Sequence, residues 1–251
     1  MSLLAIAVVA VGFLSAALSA IAGLGGGTVL IGVFYAIGLH PTVAVPLFSA
    51  VQFFSNLSRT LAYLRHVEWR ALAWFALTGV PAPFLFAPLV AHADVHWIEL
   101  VLAALILLSM IPARGGRDPI PQRWSFMLAG LLNGSIGMFV GATGLFVGRL
   151  FLRPEWRRET VIGTLAVTQA AGHLLKVLAY ASAGFSITER LDWLVPLVIA
   201  VIAGTVIGRW FNRLVSEALF TRLFKTILIV LSLKLLADGV LGLGGWSWSL
   251  F

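Results

Sequence analysis

The sequence predicts an all-α integral membrane protein, a polytopic helical bundle of two inverted repeats with about 8–10 membrane segments. Each repeat is expected to be a glycine-broken helical hairpin followed by three transmembrane helices. Three observations carry this expectation: an overwhelmingly apolar composition, basic loops that fall on one side of the membrane, and a match of the chain to itself at a fixed offset.

The 251 residues are 60% hydrophobic and 11% charged, with a mean hydropathy of +1.01. Soluble domains carry about 25% charged residues. A water-soluble protein of this length could not cover so much apolar side chain, whereas a chain lying in lipid has no such need. The length suits one transmembrane unit. The net charge of +7 comes from basic residues clustered in short loops. Topology explains them better than a nucleic-acid partner does. Cysteine is absent, which excludes disulfides, thiol catalysis and Cys-based metal sites.

The first apolar run, Leu3–Ala22, overlaps a segment, Met1–Ala20, with the apolar core and small residues of a signal peptide. It lacks a basic n-region and is read as a retained membrane segment. Thr28–Gly38 follows the cluster Gly23-Leu24-Gly25-Gly26-Gly27 and is too short to cross a bilayer, which takes ~20 residues. Pro41–Leu64, Ala71–Val90 and Trp97–Pro112 complete a first repeat, residues 1–112. A cytoplasmic linker is expected over 113–123, and a second repeat over 124–251. That repeat opens with Trp124–Val140 and a second short run, Thr143–Leu152, behind Gly141-Ala142-Thr143-Gly144. Thr160–Ala183, Trp193–Phe211 and Phe220–Val240 follow. Irregular backbone at membrane depth survives only where protein or a wet cavity covers it. Each glycine pair therefore reads as a hairpin bent inside the membrane, or as a short pair of spans.

Arg and Lys gather at Arg65–Arg70, Arg114–Arg123, Arg153–Arg158 and Arg209–Arg222. If each hairpin returns to the side it entered from, all four loops share one side, which the positive-inside rule makes cytoplasmic. Both termini then lie outside. The first half begins outside and the second inside, so the halves are inverted. The nine Trp, several near segment ends, read as interfacial anchors.

An offset of 117 residues aligns Gly27 with Gly144, Gln52 with Gln169, Arg59 with Lys176, and Leu61-Ala62-Tyr63 with Leu178-Ala179-Tyr180. Only three Gln and three Tyr occur, and two of each coincide. After an insertion near Ser182–Glu189 the offset becomes 125, and Gly79 meets Gly204. Gln52, Asn56, Arg59 and Tyr63 share one helical face, as do Gln169, His173, Lys176 and Tyr180. A polar stripe on an apolar helix belongs toward the bundle interior or a cavity, since Arg or Lys at a helix centre costs about 2.5–3.5 kcal/mol on insertion scales.

The opening signature Ala22-Gly23-Leu24-Gly25-Gly26-Gly27, a helix, and then Gly38-Leu39-His40-Pro41-Thr42-Val43-Ala44 resembles the TauE/SafE family of sulfite exporters, and the likeness extends over nearly the whole chain. In the second half Gly141-Ala142-Thr143-Gly144 replaces the family's run of glycines. The resemblance implies a secondary transporter of small anions such as sulfite or organosulfonates, an exporter in a bacterial inner membrane, working by alternating access. An anion-selective channel, or a carrier of another small anion such as a carboxylate or thiosulfate, is the alternative. The implied partners are the small anion and the lipid bilayer, a homodimer being compatible, with no cofactor.

The expected binding residues follow from physical chemistry. Helix N-termini opened by Gly25, Gly26, Gly27 and Thr28, and by Gly141, Thr143 and Gly144, offer free N–H groups and partial positive charge to an anion. The same glycines also serve close helix packing. Arg59 and Lys176 read as two cationic entrances, or as side chains snorkelling to an interface. Gln52, Asn56, Gln169 and His173 can hydrogen-bond an oxyanion or hold helices together. His173 is the one near-neutral titratable group deep in an apolar run, and no Asp or Glu sits mid-helix. A carboxylate relay is therefore missing, and no Ser/His/Asp, paired-carboxylate or metal constellation points to an enzyme. His92-Ala93-Asp94-Val95-His96 reads as an ordinary solvated loop.

Overall fold

The computed structural model describes residues 3–22, 26–111, 120–185, 190–211 and 217–244, with only the backbone of 18–22, 209–211 and 217–221. Gly25, most of the expected linker and part of the expected insertion lie outside these residues. Among the described residues every regular element is a helix: α1 Leu3–Ala22, α2 Gly26–Ala36, α3 Pro41–Ala62, α4 Trp69–Gly79, α5 Pro81–Val90, α6 Val95–Ser109, α7 Gln122–Gly134, α8 Ile136–Val140, α9 Gly144–Val147, α10 Arg158–Ser182, α11 Leu191–Phe211 and α12 Glu217–Leu243, with single 3₁₀ turns at Leu64–His66 and Gly148–Phe151. Three are long and apolar enough to cross a membrane, in α10, α11 and α12, or four if the bent pair α4–α5 counts as one span.

The helix starts follow local chemistry. The His40 side chain accepts from the Thr42 amide at the head of α3, where Pro41 has no N–H and needs no acceptor. Asp94 accepts from the His96 amide at 2.8 Å and starts α6. Asp94 of the His92–His96 loop is thus a helix cap. Two apolar runs that read as continuous are broken. The chain bends by 40° between α4 and α5, where Pro81 supplies no N–H and its ring crowds the preceding turn. The run Trp124–Val140 breaks at Ser135 into α7 and α8. α8 then ends at Gly141, whose φ of +75° is open to glycine and strained for other residues. The segment after Gly141 is a single α turn and a 3₁₀ turn, against 11 residues in α2.

Four long pairings build the bundle: α1 along α11, α3 along α10, α6 along α12, and α4 along α7. Leu30, Ile31, Phe34 and Phe48 anchor the main core, and Phe75, Phe126 and Phe151 a second one. Large apolar side chains such as Leu85, Ile199 and Val206 stay exposed, as lipid contact allows. Small residues let helices touch backbone to backbone. A Cβ on Gly130 of α7 would strike the Phe75 carbonyl of α4, and one on Gly204 of α11 would strike the Phe13 carbonyl of α1.

A helix ending inside the bundle leaves carbonyls without partners. α8 is such a helix, and the carbonyls from Gly137 to Gly141 are all accounted for. Gly137 and Val140 accept from the amides of Gly141 and Ala142. The Tyr180 hydroxyl donates to Met138 at 2.5 Å, the Tyr35 hydroxyl to Phe139, and the Lys176 ammonium to Gly141 at 2.9 Å. Further on, the Arg149 guanidinium reaches the carbonyls of Leu108 and Ser109 at the end of α6 and of Ile111 just beyond it, at 3.2, 2.7 and 2.5 Å.

Tyr180→Phe strips Met138 of its side-chain donor. Thermal unfolding in detergent is expected to register a loss of about 1–3 kcal/mol. Gly130→Ala is expected to lose about 1–3 kcal/mol through overpacking against the Phe75 carbonyl. Gly144→Ala, whose Cβ would meet no heavy atom within 4 Å, should stay within about 0.5 kcal/mol of the wild type.

Candidate functional site

α3 and α10 lie against each other along their polar stripes, and a cavity of about 50 Å³ opens between them. That volume is several times the roughly 10–15 Å³ that a single water needs on the same measure. It suits a small ion with a few heavy atoms. Four segments wall it: Gly27 and Thr28 at the start of α2; Phe48, Gln52, Asn56 and Arg59 from α3; Ala142, Thr143 and Gly144 from the second glycine segment; and Leu165, Gln169 and His173 from α10. The two glycine segments and the two stripes therefore converge on one place.

The glycines make room for this. A Cβ on Gly27 would strike the Gln52 amide nitrogen, so only a bare backbone lets that side chain reach the first turn of α2. A Cβ on Gly141 would press on Ile31 at 2.9 Å and on Phe48 at 3.3 Å, besides straining the backbone. Gly144 faces open space. The first amides of α2 have no intrahelical partners and carry its partial positive charge. α9, with four residues, contributes little macrodipole, so this wall acts through its side chains.

Those side chains form a buried polar group. The Thr143 hydroxyl donates to Asn133 Oδ1 at 2.6 Å and stands 3.4 Å from Gln169 Oε1. Both amide oxygens turn toward Thr143, leaving both amide nitrogens as donors. Gln169 Nε2, Asn133 Nδ2 and His173 Nδ1 are buried with no hydrogen-bond partner. The His173 ring meets Phe48 edge-on, with centroids 5.4 Å apart. Asn56 donates to the Gln52 carbonyl of its own helix at 2.9 Å, which leaves its oxygen as the free end. Arg59 is half-buried on the cavity wall. No carboxylate is among the wall residues.

Three of the expected residues lie beside the cavity rather than on its wall. Gly26 begins α2. Gly141 presents its carbonyl to Lys176, and Lys176 is fully buried, with Nζ in the space that a side chain on Gly137 would occupy. Lys176 thus sits neither at an entrance nor at a lipid interface. Sequence reasoning missed Phe48, Ala142, Leu165 and Asn133. Asn133 had a readable signal, as a lone amide inside an apolar run. Its partner Gly172, across which the Asn133 amide packs, is invisible without the fold.

The arrangement is rich in hydrogen-bond donors, carries a guanidinium and is walled partly by apolar side chains. Chemically it can hold a small oxyanion out of bulk water. Neither the curated proteins nor the solved structures include a match to this chain. A family model, Sulfite exporter TauE/SafE, matches residues 8–235. With most of its length covered, the chain belongs to the TauE/SafE sulfite exporter family of membrane transporters.

Proposed function

We propose that this protein is a secondary transporter that exports sulfite or an organosulfonate across the bacterial inner membrane, with the cavity between α3 and α10 as its docking place. The observation that carries this reading is the pair of buried, unpartnered polar atoms on the wall, Gln169 Nε2 and His173 Nδ1, beside Arg59 and the N-terminus of α2. A buried donor without a partner, as Gln169 Nε2 is, costs about 1–3 kcal/mol. An oxyanion relieves that cost, and His173 Nδ1 adds a second donor in the tautomer that carries its proton there. In this reading Gly26, Gly27, Thr28, Gln52, Asn56, Arg59, Thr143, Gly144, Gln169 and His173 form the site, and Gly141 and Lys176 shape its wall. Gly25 joins them from sequence alone.

Alternating access between two inverted halves, residues 1–112 and 124–251 joined by a cytoplasmic linker, has support from packing. α3 pairs with α10 and α6 with α12, each with its counterpart under the offset, while α1 on α11 corresponds to α7 on α4. The match reaches single residues. Gly79 of α4 faces Gly130 of α7, and Gly204 of α11 faces Phe13 of α1. The offset of 125 carries Gly79 to Gly204, and 117 carries Phe13 to Gly130. Corresponding contacts of this kind are what a pseudo-two-fold axis produces. The one-sided basic loops favour inversion, with both termini outside and the broken hairpins completing about 8–10 membrane segments.

Gly144→Leu tests the docking place, because the added side chain fills open space rather than a packed contact. Sulfite flux into proteoliposomes is expected to fall to background while the melting midpoint holds. Full flux in a folded variant would remove the cavity from the pathway. Gln169→Ala should slow flux about tenfold, the equivalent of one hydrogen bond to a charged group. Flux orders of magnitude above carrier rates, without counterflow, would make the protein a channel.

A further inference from the structure

Asn133 is fully buried near the end of α7, and only half of its amide is satisfied. Oδ1 accepts from the Thr143 hydroxyl at 2.6 Å, and Nδ2 has no hydrogen-bond partner. A leucine of similar size would fill the space without an unmet donor, but it would offer Thr143 no acceptor. The other acceptor near Thr143, Gln169 Oε1 at 3.4 Å, lies beyond the usual length of a hydroxyl hydrogen bond. Asn133 is therefore the strong tie on Thr143. The same amide also rests on α10, where a Cβ on Gly172 would strike Asn133 Nδ2. Gly172 follows Gln169 by three residues and precedes His173 by one, so the three share a helical face. One amide thus reaches from the α10 wall of the cavity to the Thr143 wall, without itself being part of the wall.

The two ends of this span are held differently. α7 is seated through bare backbone: a Cβ on Gly130 would strike the Phe75 carbonyl of α4, and one on Gly134 would meet Ala82 and Pro83 of α5 at 2.7 Å. Thr143 stands just after Gly141, with its φ of +75°, and just before a helix of four residues. A firm helix end therefore tethers a segment with little regular structure of its own.

We propose that Asn133 decides which anions fit: it is a strut that fixes the distance between the second glycine segment and α10, and so the width of the cavity, without touching the cargo. This rests on the transporter reading above, with the cavity as docking place. A wall free to shift holds a small oxyanion loosely and yields to a bulky one. A wall tied to α7 holds the small ion closely, and a bulky one must break the tie to enter. Gly172 admits the strut on α10, and Gly141 lets the chain turn so that Thr143 meets it. Asn133 is thus a positioning residue that acts through Thr143.

The test is competition against sulfite flux in proteoliposomes of the full chain, with methanesulfonate as the small competitor and benzenesulfonate as the bulky one. In the wild type, methanesulfonate is expected to compete about tenfold better, the margin that one broken buried hydrogen bond gives. Asn133→Leu keeps the bulk and removes the acceptor. In it the margin should shrink to about twofold and the KM for sulfite rise about fivefold, with the maximal rate held. A merely structural role would lower the maximal rate through lost folded protein and leave the KM and the size ranking alone. Thr143→Val cuts the same tie from the other end, and serves if Asn133→Leu does not fold. The double variant should be no worse than the poorer single one, because both remove one interaction. An unchanged KM and margin in either folded variant, full additivity of the two, or a wild type that takes both competitors alike overturns the strut. Each of these leaves the docking place standing while Gly144→Leu still blocks flux. Full flux in Gly144→Leu removes the docking place and the strut with it.

Discussion

A backbone that breaks inside a membrane must find its hydrogen bonds within the protein, because lipid offers none. Much of this structure answers that demand. α8 is the clearest case, a five-residue helix whose terminal carbonyls are taken by two tyrosines and a lysine from two other helices. Arg149 answers the same demand at the end of α6. These bonds are long-range in sequence. They tie α2 and α10 to the broken segment and fix where the second glycine turn lies.

The cavity follows from this arrangement. Satisfying α8 spends the polar ends of Tyr35, Tyr180 and Lys176 on carbonyls, which leaves the remaining polar side chains of α3 and α10 facing one another. Thr143, placed just beyond Gly141, orients the Asn133 and Gln169 amides so that their nitrogens stay free. The two glycine segments are chemically unlike. One opens a helix of 11 residues with an appreciable dipole, and the other opens a single turn and relies on side chains. The cavity is therefore asymmetric in the forces it applies to a ligand.

Much of this was legible in the sequence. α1 runs from Leu3 to Ala22, as the apolar run does, and Pro41–Leu64 and Thr160–Ala183 become α3 and α10 within about two residues, inside the usual disagreement over helix ends. Polar residues at helical spacing announced the stripes, because an amide or a cation within an apolar run needs an interior face. The exact breaks at Val80–Pro81 and Ser135 were not legible, since each sits within one long apolar run. The bend at Pro81 is decided by a missing N–H, and the break at Ser135 follows Asn133 and Gly134, the polar and small residues of its run. The role of Lys176 was also hidden. Spacing put it on the correct face, but only the fold brings the Gly141 carbonyl to it. Asn133 escaped notice because Gly172, which makes space for it, is an ordinary small residue until the two helices meet.

The two close crossings treat glycine differently. Where α4 meets α7, the position that tolerates no Cβ is Gly130, because a carbonyl stands in its way; the facing Gly79 has softer neighbours at 3.0 Å and beyond. Where α1 meets α11, the intolerant position is Gly204, which the proposed repeat matches to Gly79, while it matches Gly130 to Phe13, whose backbone is what Gly204 meets first. In that proposed repeat the requirement for a bare backbone attaches to the crossing and not to one position. Either helix of a pair can carry it, which frees the other to vary. Homologous chains can lose a glycine from a strict position without losing the fold, provided one appears across the crossing. Such exchanges would register as paired sequence changes linking positions far apart in the chain.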